Sequence, residues 1–337
     1  MTHRDLRLFA PGKLIWLGEY AVLDGAPAIV QGVDRGLYLT HSPGTAPLTV
    51  SSDLWEGALP LHQATHDNPS TALLAAVLAT LAEAGAPISA LTGHIALASP
   101  DLVDPATGQK FGFGSSAAAA AALTVALGQA AGLAAPMLSP LAHAAHLRFQ
   151  KGAGSGVDVE TSLFGGLASM QRSDAGLQVE PLSLPAGLRV AVLHAGLSAN
   201  TRTMLAGLAA ARDAHRPALQ VALSTMADLA RAGVAALKAG DASAFLEVVA
   251  AFAEAERSLS AAADIPIMSP AVERCIEAAA RAGWVAKPSG AGGGDIVVAF
   301  ALNLEPHDAL AASASDAGLP LLLPGFAPAG VLGSRPL

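Results

Sequence analysis

Long segments rich in alanine and leucine alternate along the chain with short apolar runs. The long segments have the length and the spacing of apolar positions expected for helices, whereas the short runs, bounded by glycine, proline or polar residues, are typical of strands. Strands are predicted at 37–40, 93–98 and 188–194, with a further apolar strand after the glycines at 290–294. Helices are predicted at 71–85, 115–131, 137–149, 203–214, 217–238, 243–257 and 269–282. The pattern indicates a fold of mixed helices and strands.

The tripeptide Pro185-Ala186-Gly187 interrupts this pattern directly before the strand predicted at 188–194. Proline and glycine favour the turns and loops that separate elements. A chain of 337 residues is also long enough for two domains with separate cores. We therefore predict two domains, formed by residues 1–187 and 188–337.

The segment from Phe111 to Ala142 contains no charged residue and is long enough to cross a bilayer. It consists mostly of alanine and glycine, however, and Ser115, Gln129 and Pro136 interrupt it. Membrane spans are dominated by Leu, Ile, Val and Phe, whose insertion is clearly favourable. We therefore expect a buried helix here and no membrane partner.

Charge and cysteine content narrow the class of protein. The formal net charge of −8 at pH 7 gives no support to nucleic-acid binding, which calls for a basic surface. The single cysteine, Cys275, excludes an internal disulfide and a cysteine-based metal site. No continuous apolar segment follows the charged residues Arg4, Asp5 and Arg7, so we expect no signal peptide and a cytoplasmic protein.

Four glycine-rich stretches, far apart in the sequence, carry the candidate chemistry. They are APGKLIWLGEYAVLDG at 10–25, KFGFGSSAAAA at 110–120, KGAGSGVDVETSLFGG at 151–166 and KPSGAGGGDIVVAF at 287–300. In the second stretch a glycine turn leads into alanines, the best helix formers, with Ser115 and Ser116 as expected caps. The N–H groups at such a helix start favour phosphate, so this turn is predicted to bind a phosphate group.

Two common nucleotide-binding motifs are excluded. The segment 112–117 matches the glycine spacing of a dinucleotide fingerprint, but no acidic residue follows before Asp158. That lies far beyond the position about 20 residues on that would bind a ribose. A Walker A motif is absent, because Gly12-Lys13 is followed by leucine and no glycine stands five residues earlier.

The order and spacing of the stretches resemble the kinase superfamily of galactokinase, homoserine kinase, mevalonate kinase and phosphomevalonate kinase, the GHMP kinases. The segments PGK-apolar-GE, GxGSSA before a helix and late SGAGGGD carry the resemblance over essentially the whole chain. It implies an α+β fold in two domains, an N-terminal ATP-binding domain like domain 2 of ribosomal protein S5 and a ferredoxin-like C-terminal domain. The active site is then expected in the cleft between them.

Within this superfamily the sequence is most similar to bacterial phosphomevalonate kinases. Tyr20 stands where mevalonate kinases usually have histidine, and Lys110 directly precedes the glycine loop. The segment AHLRFQKGAGSGVDVE lacks the proline that mevalonate kinases place before Ser-Gly-Val-Asp, and LSANTRTML, with Ser198 and Thr201, fits the same subfamily. One departure is Asn200, where a serine is common.

The resemblance implies ATP and Mg²⁺ as cofactors and assigns candidate roles. Lys13 is expected to stabilise the transferred phosphoryl group, and Asp158 to act either as general base or by orienting Lys13. Ser116 is the expected Mg²⁺ ligand. The ATP-binding residues are expected to be Lys110, Gly112, Gly114, Ser115, Ser116 and Ala117. The substrate-binding residues are expected to be Tyr20, Ser155, Gly156, His146, Arg148, Lys151, Ser198, Thr201, Ser289, Gly290, Ala291 and Gly292.

The expected acceptor follows from a missing carboxylate. Mevalonate kinases usually carry a Mg²⁺-binding Glu about three helical turns before the catalytic Asp, whereas residues 143–151 offer His146, Arg148 and Lys151 instead. A phosphorylated acceptor brings about two negative charges that such cations would offset. The expected reaction is phosphorylation of 5-phosphomevalonate to 5-diphosphomevalonate by a monomer or homodimer. The alternatives are a mevalonate kinase and a non-catalytic relative that binds nucleotide or metabolite.

Overall fold

The chain forms two sheets flanked by helices in a computed structural model that describes residues 5–53, 55–105, 107–152, 154–173, 176–197, 201–214, 216–303 and 307–333. The first sheet consists of β1 (Leu6–Leu17), β2 (Pro27–Pro47), β3 (Thr49–Ser52), β4 (Trp55–Pro60), β5 (Thr92–Ala98), β6 (Leu167–Ser173) and β7 (Gly176–Pro181). The second consists of β8 (Leu188–His194), β9 (Val285–Pro288), β10 (Ile296–Leu302) and β11 (Leu321–Leu322). The helices are α1 (Ala72–Glu83), α2 (Ser115–Ala130), α3 (Ala135–Phe149), α4 (Val157–Phe164), α5 (Thr201–Asp213), α6 (Pro217–Lys238), α7 (Ala242–Ala263), α8 (Pro270–Arg281) and α9 (Asp308–Asp316).

The first sheet has the strand order β4-β3-β5-β2-β6-β7, with β1 paired to β2. Its pairs are antiparallel except β3 and β5, which run parallel. In the β1–β2 pair the register shifts between Pro11 and Gly12 and again between Ile15 and Leu17. Such irregularities bend a strand and redirect its side chains, and the first of them lies directly before Lys13.

The second sheet has the order β11-β8-β10-β9 and is antiparallel throughout. Alternate residues of β10 face opposite sides, as the two-residue repeat of a strand requires. Val297 and Ala299 belong to a buried cluster with residues of α8 and α9, whereas Val298 and Phe300 join the large core that includes α7. Helices therefore cover both faces of this sheet.

Three aromatic rings join the two sheets in one core. Trp16 of β1 lies 5.1 Å from Phe300 of β10 and 5.7 Å from Phe245 of α7, and the two phenylalanine rings are 5.4 Å apart. All three side chains are fully buried. Aromatic residues supply the largest apolar areas of a core, so this cluster stabilises the contact between the sheets.

The C-terminal part of the described chain returns to the first sheet. Asp34 N–H donates to the carbonyl of Gly325, and Ala327 N–H donates to Gly32. Further on, Val331 and Leu332 N–H groups donate to the carbonyls of residues 162 and 163. The division between residues 187 and 188 falls between β7 and β8, and it stays a prediction.

The predicted helices and strands are all present. The ends of the helices differ by a few residues, most of all at α7, which continues six residues beyond the predicted end at 257. The strand predicted at 37–40 is much too short, because it is only part of the 21-residue β2. The helices α4 and α9 were not predicted, because α4 spans only eight residues inside a glycine-rich stretch and α9 follows a polar loop. The charge-free segment is divided between α2 and α3, and α2 is buried around most of its surface. No helix among the described residues is long and apolar enough to cross a membrane.

Candidate active site

The glycine-rich stretches meet at a cavity of about 570 Å³. Its walls come from β1 and the turn after it, the start of α2, the loop and first turn at α4, the start of α5 and the loop after β9. The sequence-predicted residues that line it are Lys13, Tyr20, Lys110, Gly112, Gly114, Ser115, Ser116, Ser155, Asp158, Thr201, Ser289, Gly290 and Ala291.

The turn before α2 depends on two glycines with positive φ, 89° at Gly112 and 83° at Gly114. A Cβ added to Gly112 would lie 2.6 Å from the Cβ of Asp295, and one added to Gly114 would lie 3.2 Å from Cγ of Lys13. Only glycine combines this backbone with such close approach. The expectation that Ser115 and its neighbour cap the helix is wrong, because Gly114 is the N-cap and makes no side-chain cap.

Lys13 extends from the irregular part of β1 into the cavity. Its backbone N–H donates to Phe113 O at 2.8 Å, and its Nζ donates to Gly112 O at 3.3 Å. The side chain is only 8% exposed. Burial lowers the pKa of Lys13, and the negative charges of Asp158 and Asp295 partly oppose that effect. The ammonium group is therefore desolvated and ready to gain from an incoming anion.

His146 connects Ser116 with Asp158. The Oγ of Ser116 lies 3.2 Å from Nε2 of His146, and Nδ1 of the same ring lies 3.9 Å from Oδ2 of Asp158. His146 is almost fully buried, behind the residues that line the cavity. Asp158 also accepts a hydrogen bond from Val159 N–H at 2.9 Å. The histidine thus fixes the relative positions of the start of α2 and the start of α4.

The loop after β9 closes the cavity from the second sheet. Ser289 Oγ accepts a hydrogen bond from Ile15 N–H at 2.9 Å, so the loop is joined directly to β1. A Cβ added to Gly290 would lie 3.3 Å from Nζ of Lys13. The loop backbone therefore passes beside the ammonium group.

Two further contacts involve the loop after β9, one made by Tyr20 and one by Gly292 of the loop itself. The hydroxyl of Tyr20 donates to Ala291 O at 2.5 Å, and burial raises the pKa of this phenol. Gly292 is not among the residues that line the cavity, and a Cβ there would lie 2.7 Å from Cγ2 of Ile267. Its glycine is explained by packing against the segment before α8.

A buried ion cluster lies beneath this loop. Lys287 Nζ is 2.6 Å from Oε1 of Glu19 and 3.4 Å from Oε1 of Glu256, and the three side chains are 0–3% exposed. Gly290 N–H also donates to the same oxygen of Glu19 at 3.2 Å. Burial raises the pKa of Glu256 well above its ordinary value, with Lys287 opposing the rise. Glu256 therefore keeps its proton to a higher pH than an exposed glutamate does.

Several sequence-predicted residues do not reach the cavity. Arg148 pairs with Glu83 through two contacts of 2.6 and 2.7 Å, and Lys151 is exposed directly after α3. Ala117 is fully buried in α2, and Gly156 is the N-cap of α4. Ser198 lies outside the described residues, as does Asn200.

Four charged or polar residues that line the cavity were not predicted as site residues. They are Glu19, Gln150, Arg202 and Asp295, and the aromatic ring of Phe149 was not predicted either. Glu19 and Asp295 stand inside the segments GEY and GGGD, so the motifs themselves held a signal for them. Arg202 follows Thr201 in a segment without glycine, and only the fold brings it to the cavity.

The donor groups in the cavity suit a magnesium ion shared with phosphates. The described residues contain no cluster of three or more His, Cys, Asp or Glu side chains that could hold a metal ion. The cavity does present the hydroxyl of Ser116 and the carboxylates of Asp158 and Asp295, all oxygen donors. Mg²⁺ prefers oxygen and commonly takes one or two protein ligands together with substrate phosphates and water. The residues present therefore fit Mg²⁺ bound with ATP.

Comparison with known proteins places these features in a family. Residues 234–318 match the family described as GHMP kinases C terminal. The chain is 30% identical to a phosphomevalonate kinase of Streptomyces sp. (strain CL190), over 88% of this chain and 90% of the relative. It is 28% identical to a mevalonate kinase of Aeropyrum pernix, over 71% of this chain and 72% of that relative.

A solved phosphomevalonate kinase also has a similar fold. The Streptococcus pneumoniae phosphomevalonate kinase, solved in complex with phosphomevalonate and AMPPNP, superposes with a TM-score of 0.79 at 22% identity, covering 96% of this chain and 100% of that chain. The α+β GHMP kinase fold predicted from the motifs is thereby confirmed. By its identity to the Streptomyces enzyme over nine-tenths of that enzyme's length, the chain belongs to the phosphomevalonate kinase family of the GHMP kinases.

Proposed function

We propose that this protein transfers the γ-phosphoryl group of ATP to 5-phosphomevalonate, giving 5-diphosphomevalonate and ADP. The observation that carries the proposal is the position of Lys13, buried between the glycine turn before α2 and the loop at Gly290, in a member of this family. A desolvated cation between two phosphate-binding loops suits a reaction in which two anions are brought together.

The phosphate of the acceptor is the nucleophile. One of its oxygens forms a bond to the γ-phosphorus while the bond from that phosphorus to the β,γ-bridging oxygen of ATP breaks. The second pKa of a phosphate monoester is about 6, so this group is already largely deprotonated at neutral pH. Catalysis then consists of alignment and of charge stabilisation, and no strong base is required.

Lys13 and Asp158 divide these tasks. The ammonium of Lys13 stabilises the oxygens of the group in transfer, where negative charge is spread in the transition state. Asp158 is the first of the negative charges that oppose the lowering of the Lys13 pKa by burial. Because the acceptor needs no proton removed, we assign Asp158 to orienting Lys13 and sustaining its charge.

The nucleotide is assigned to the turn before α2. Its glycines let the backbone approach the triphosphate, and the N–H groups at the start of the helix favour negative charge. Lys110, at the entrance to this turn, lines the same cavity. Ser116, with Asp158 or Asp295, would hold Mg²⁺, which neutralises phosphate charge when bound.

A panel assay tests the function. The purified chain is incubated with ATP, Mg²⁺ and, separately, 5-phosphomevalonate, mevalonate, galactose or homoserine. ADP release is measured, and phosphorus NMR identifies the product. We expect a diphosphate product and a kcat/KM for 5-phosphomevalonate at least about 100-fold above that for mevalonate, since a site built for a charged group rejects the analogue that lacks it.

The other outcomes identify the alternatives. Preferential turnover of mevalonate to a monophosphate would make the chain a mevalonate kinase. Binding of ATP without turnover of any acceptor would favour the non-catalytic relative. Lys13→Met is the control, because an activity that it leaves intact does not arise in this cavity.

A further inference from the structure

A single arginine, Arg202, lines the cavity among the described residues. It stands in the first turn of α5, whereas the arginine expected to meet the substrate, Arg148, pairs with Glu83 outside the cavity. The other cations that line the cavity are Lys13 and Lys110. Both belong to the glycine stretches assigned to phosphoryl transfer and to ATP, so Arg202 has no role in the function proposed above.

The guanidinium of Arg202 is positioned by an aromatic ring. Its Cζ lies 5.6 Å from the centroid of Phe149. A guanidinium over a ring face is held by a cation–π contact, and the shape of its planar fork matches a carboxylate or phosphate. Arg202 is itself exposed, so it can meet a ligand without first losing a buried environment.

A short chain of contacts places Arg202 near the reacting groups. The ring of Phe149 stacks on His146 with centroids 6.2 Å apart, and His146 lies 3.9 Å from Asp158 and 3.2 Å from Ser116. Two rings, those of Phe149 and His146, therefore lie between Arg202 and the carboxylate assigned to orient Lys13. Gln150 and Ser155, in the segment that leads to Asp158, line the same cavity.

Helix α5 is also fixed to the turn after the first glycine stretch. Arg212 NH2 lies 2.6 Å from Oδ2 of Asp24, in the short helical turn 21–24. The neighbouring residues Val22 and Leu23 line the cavity, as does Leu205 of α5. This part of the wall is apolar apart from Thr201 and Arg202, and it is separate in sequence from the glycine turn assigned to ATP.

We propose that Arg202 binds an oxyanion of the acceptor and thereby determines acceptor affinity. The inference rests on the proposed function, since it takes the acceptor to be 5-phosphomevalonate. That molecule offers Arg202 two groups of the same chemistry, a phosphate at its reacting end and a carboxylate at the other. A charge-assisted hydrogen bond to either is worth about 1.5–3 kcal/mol, which corresponds to a roughly 10- to 150-fold change in affinity.

The test compares Arg202→Gln and Arg202→Lys with the wild-type enzyme. The KM for 5-phosphomevalonate is measured at saturating ATP, and the KM for ATP at saturating acceptor. Arg202→Gln is expected to raise the acceptor KM about 10- to 150-fold and leave the ATP KM unchanged. Arg202→Lys keeps the charge without the planar fork, so it should recover part of the loss.

Arg231→Gln is the matched control. Arg231 pairs with Asp228 on the exposed face of α6 and lies outside the cavity, so its loss should change neither KM. Phe149→Leu is a second variant, which removes the ring beneath the guanidinium. It should raise the acceptor KM by a smaller factor, of about two to five, as expected for an exposed cation–π contact.

Competition by mevalonate distinguishes the two anionic groups. Mevalonate shares the carboxylate but lacks the phosphate, so equal weakening of both ligands by Arg202→Gln would identify the carboxylate. Weakening of 5-phosphomevalonate alone would identify the phosphate. An unchanged acceptor KM, or an increase confined to the ATP KM, would overturn the proposal. Wild-type turnover is measured first, so a failure of the proposed function is seen separately from a failure of Arg202.

Discussion

Lys287 and Glu19, 268 positions apart in the chain, form a buried ion pair with Nζ 2.6 Å from Oε1. The pair joins the strand β9 of the second sheet to the turn after β1 of the first. Two buried charges are expensive to desolvate, and breaking such a pair leaves an uncompensated charge. The contact beneath the loop after β9 is therefore sensitive to substitution of either partner.

The first prediction separates the two carboxyl groups around Lys287. Lys287→Met should lower the free energy of unfolding by about 3–5 kcal/mol, because Glu19 is left buried without its partner. Glu256→Gln should cost about 1 kcal/mol or less, because glutamine has the shape of the protonated acid that burial favours at this position. Urea unfolding measures both. Lys238→Met, which removes an exposed ion pair with Glu180, is the matched control, with an expected change below about 1 kcal/mol.

The second prediction concerns pH. The pKa of Glu256 is raised well above the ordinary value of 4.5 in the folded state, so the folded chain binds more protons than the unfolded chain above that pH. Its contribution to the free energy of unfolding is fully present below the unfolded pKa and is lost as pH rises through the folded pKa. Wild type should therefore lose stability relative to Glu256→Gln as pH rises above 4.5, by up to about 1.4 kcal/mol per pH unit. A stability difference that stays constant with pH would show that Glu256 is ionised in both states.

The third prediction concerns Lys13. Lys13→Ala should lower kcat by about 100- to 1000-fold, since its ammonium acts mainly on charge that develops in the transition state. The KM for ATP should change by only a few-fold. Steady-state kinetics with both substrates at saturation measure the effect, and Lys238→Met again provides the control. Turnover within a few-fold of wild type would remove Lys13 from the mechanism.

The fourth prediction concerns Ser116. Ser116→Ala should raise the Mg²⁺ concentration needed for half-maximal activity, since Ser116 lines the cavity and loses its oxygen donor. The melting temperature should stay within a few degrees, because the hydroxyl makes one hydrogen-bond contact among the described residues, with His146. A Mg²⁺ titration at fixed ATP measures it. Ser258→Ala, at an exposed hydroxyl of α7 bonded to Glu254 O, should leave the titration unchanged. Superimposable titrations for wild type and Ser116→Ala would count against the ligand role.

The fifth prediction uses the single cysteine as a probe of folding. Cys275 is fully buried in α8, and burial raises the pKa of its thiol to about 12. The thiolate is the reactive form, so a disulfide reagent at about pH 8 should modify the native protein far more slowly than the urea-unfolded chain. Absorbance of the released thiol measures the rate. Equal rates in the two states would contradict the burial of Cys275.

Local patterns predicted much of the fold, because helix and strand preferences act over a few residues. The predicted start of α2 is correct at Ser115, where glycine gives way to alanine, and β8 matches its prediction at both ends. Strand β1 was not predicted, because its proline, glycine and charged residues interrupt the apolar pattern of a strand. The presence of those residues is explained by the cavity and by the irregular register at Gly12. Such features depend on distant parts of the chain, which a local pattern does not contain.

Those site residues that stand inside a glycine motif could be predicted from the sequence. The glycine motifs brought Lys13, Ser116 and Gly290 to one cavity, as expected. Which residues of α3 reach the site was harder to predict, because successive residues turn by about 100° around a helix axis. His146 is buried behind the cavity wall, next to Ser116, whereas Arg148, two positions later, pairs with Glu83 at the surface. Contacts such as that of Lys287 with Glu19 have no local signature at all.

The return of the chain to the first sheet limits how the cavity can open. The second sheet is connected to the first at two places, between β7 and β8 and again between β11 and Gly325, which bonds to Asp34. The aromatic rings of Trp16 and Phe300 also pack between the two sheets. Any separation of the loop at Gly290 from Lys13 would therefore have to break contacts such as the hydrogen bond from Ile15 N–H to Ser289.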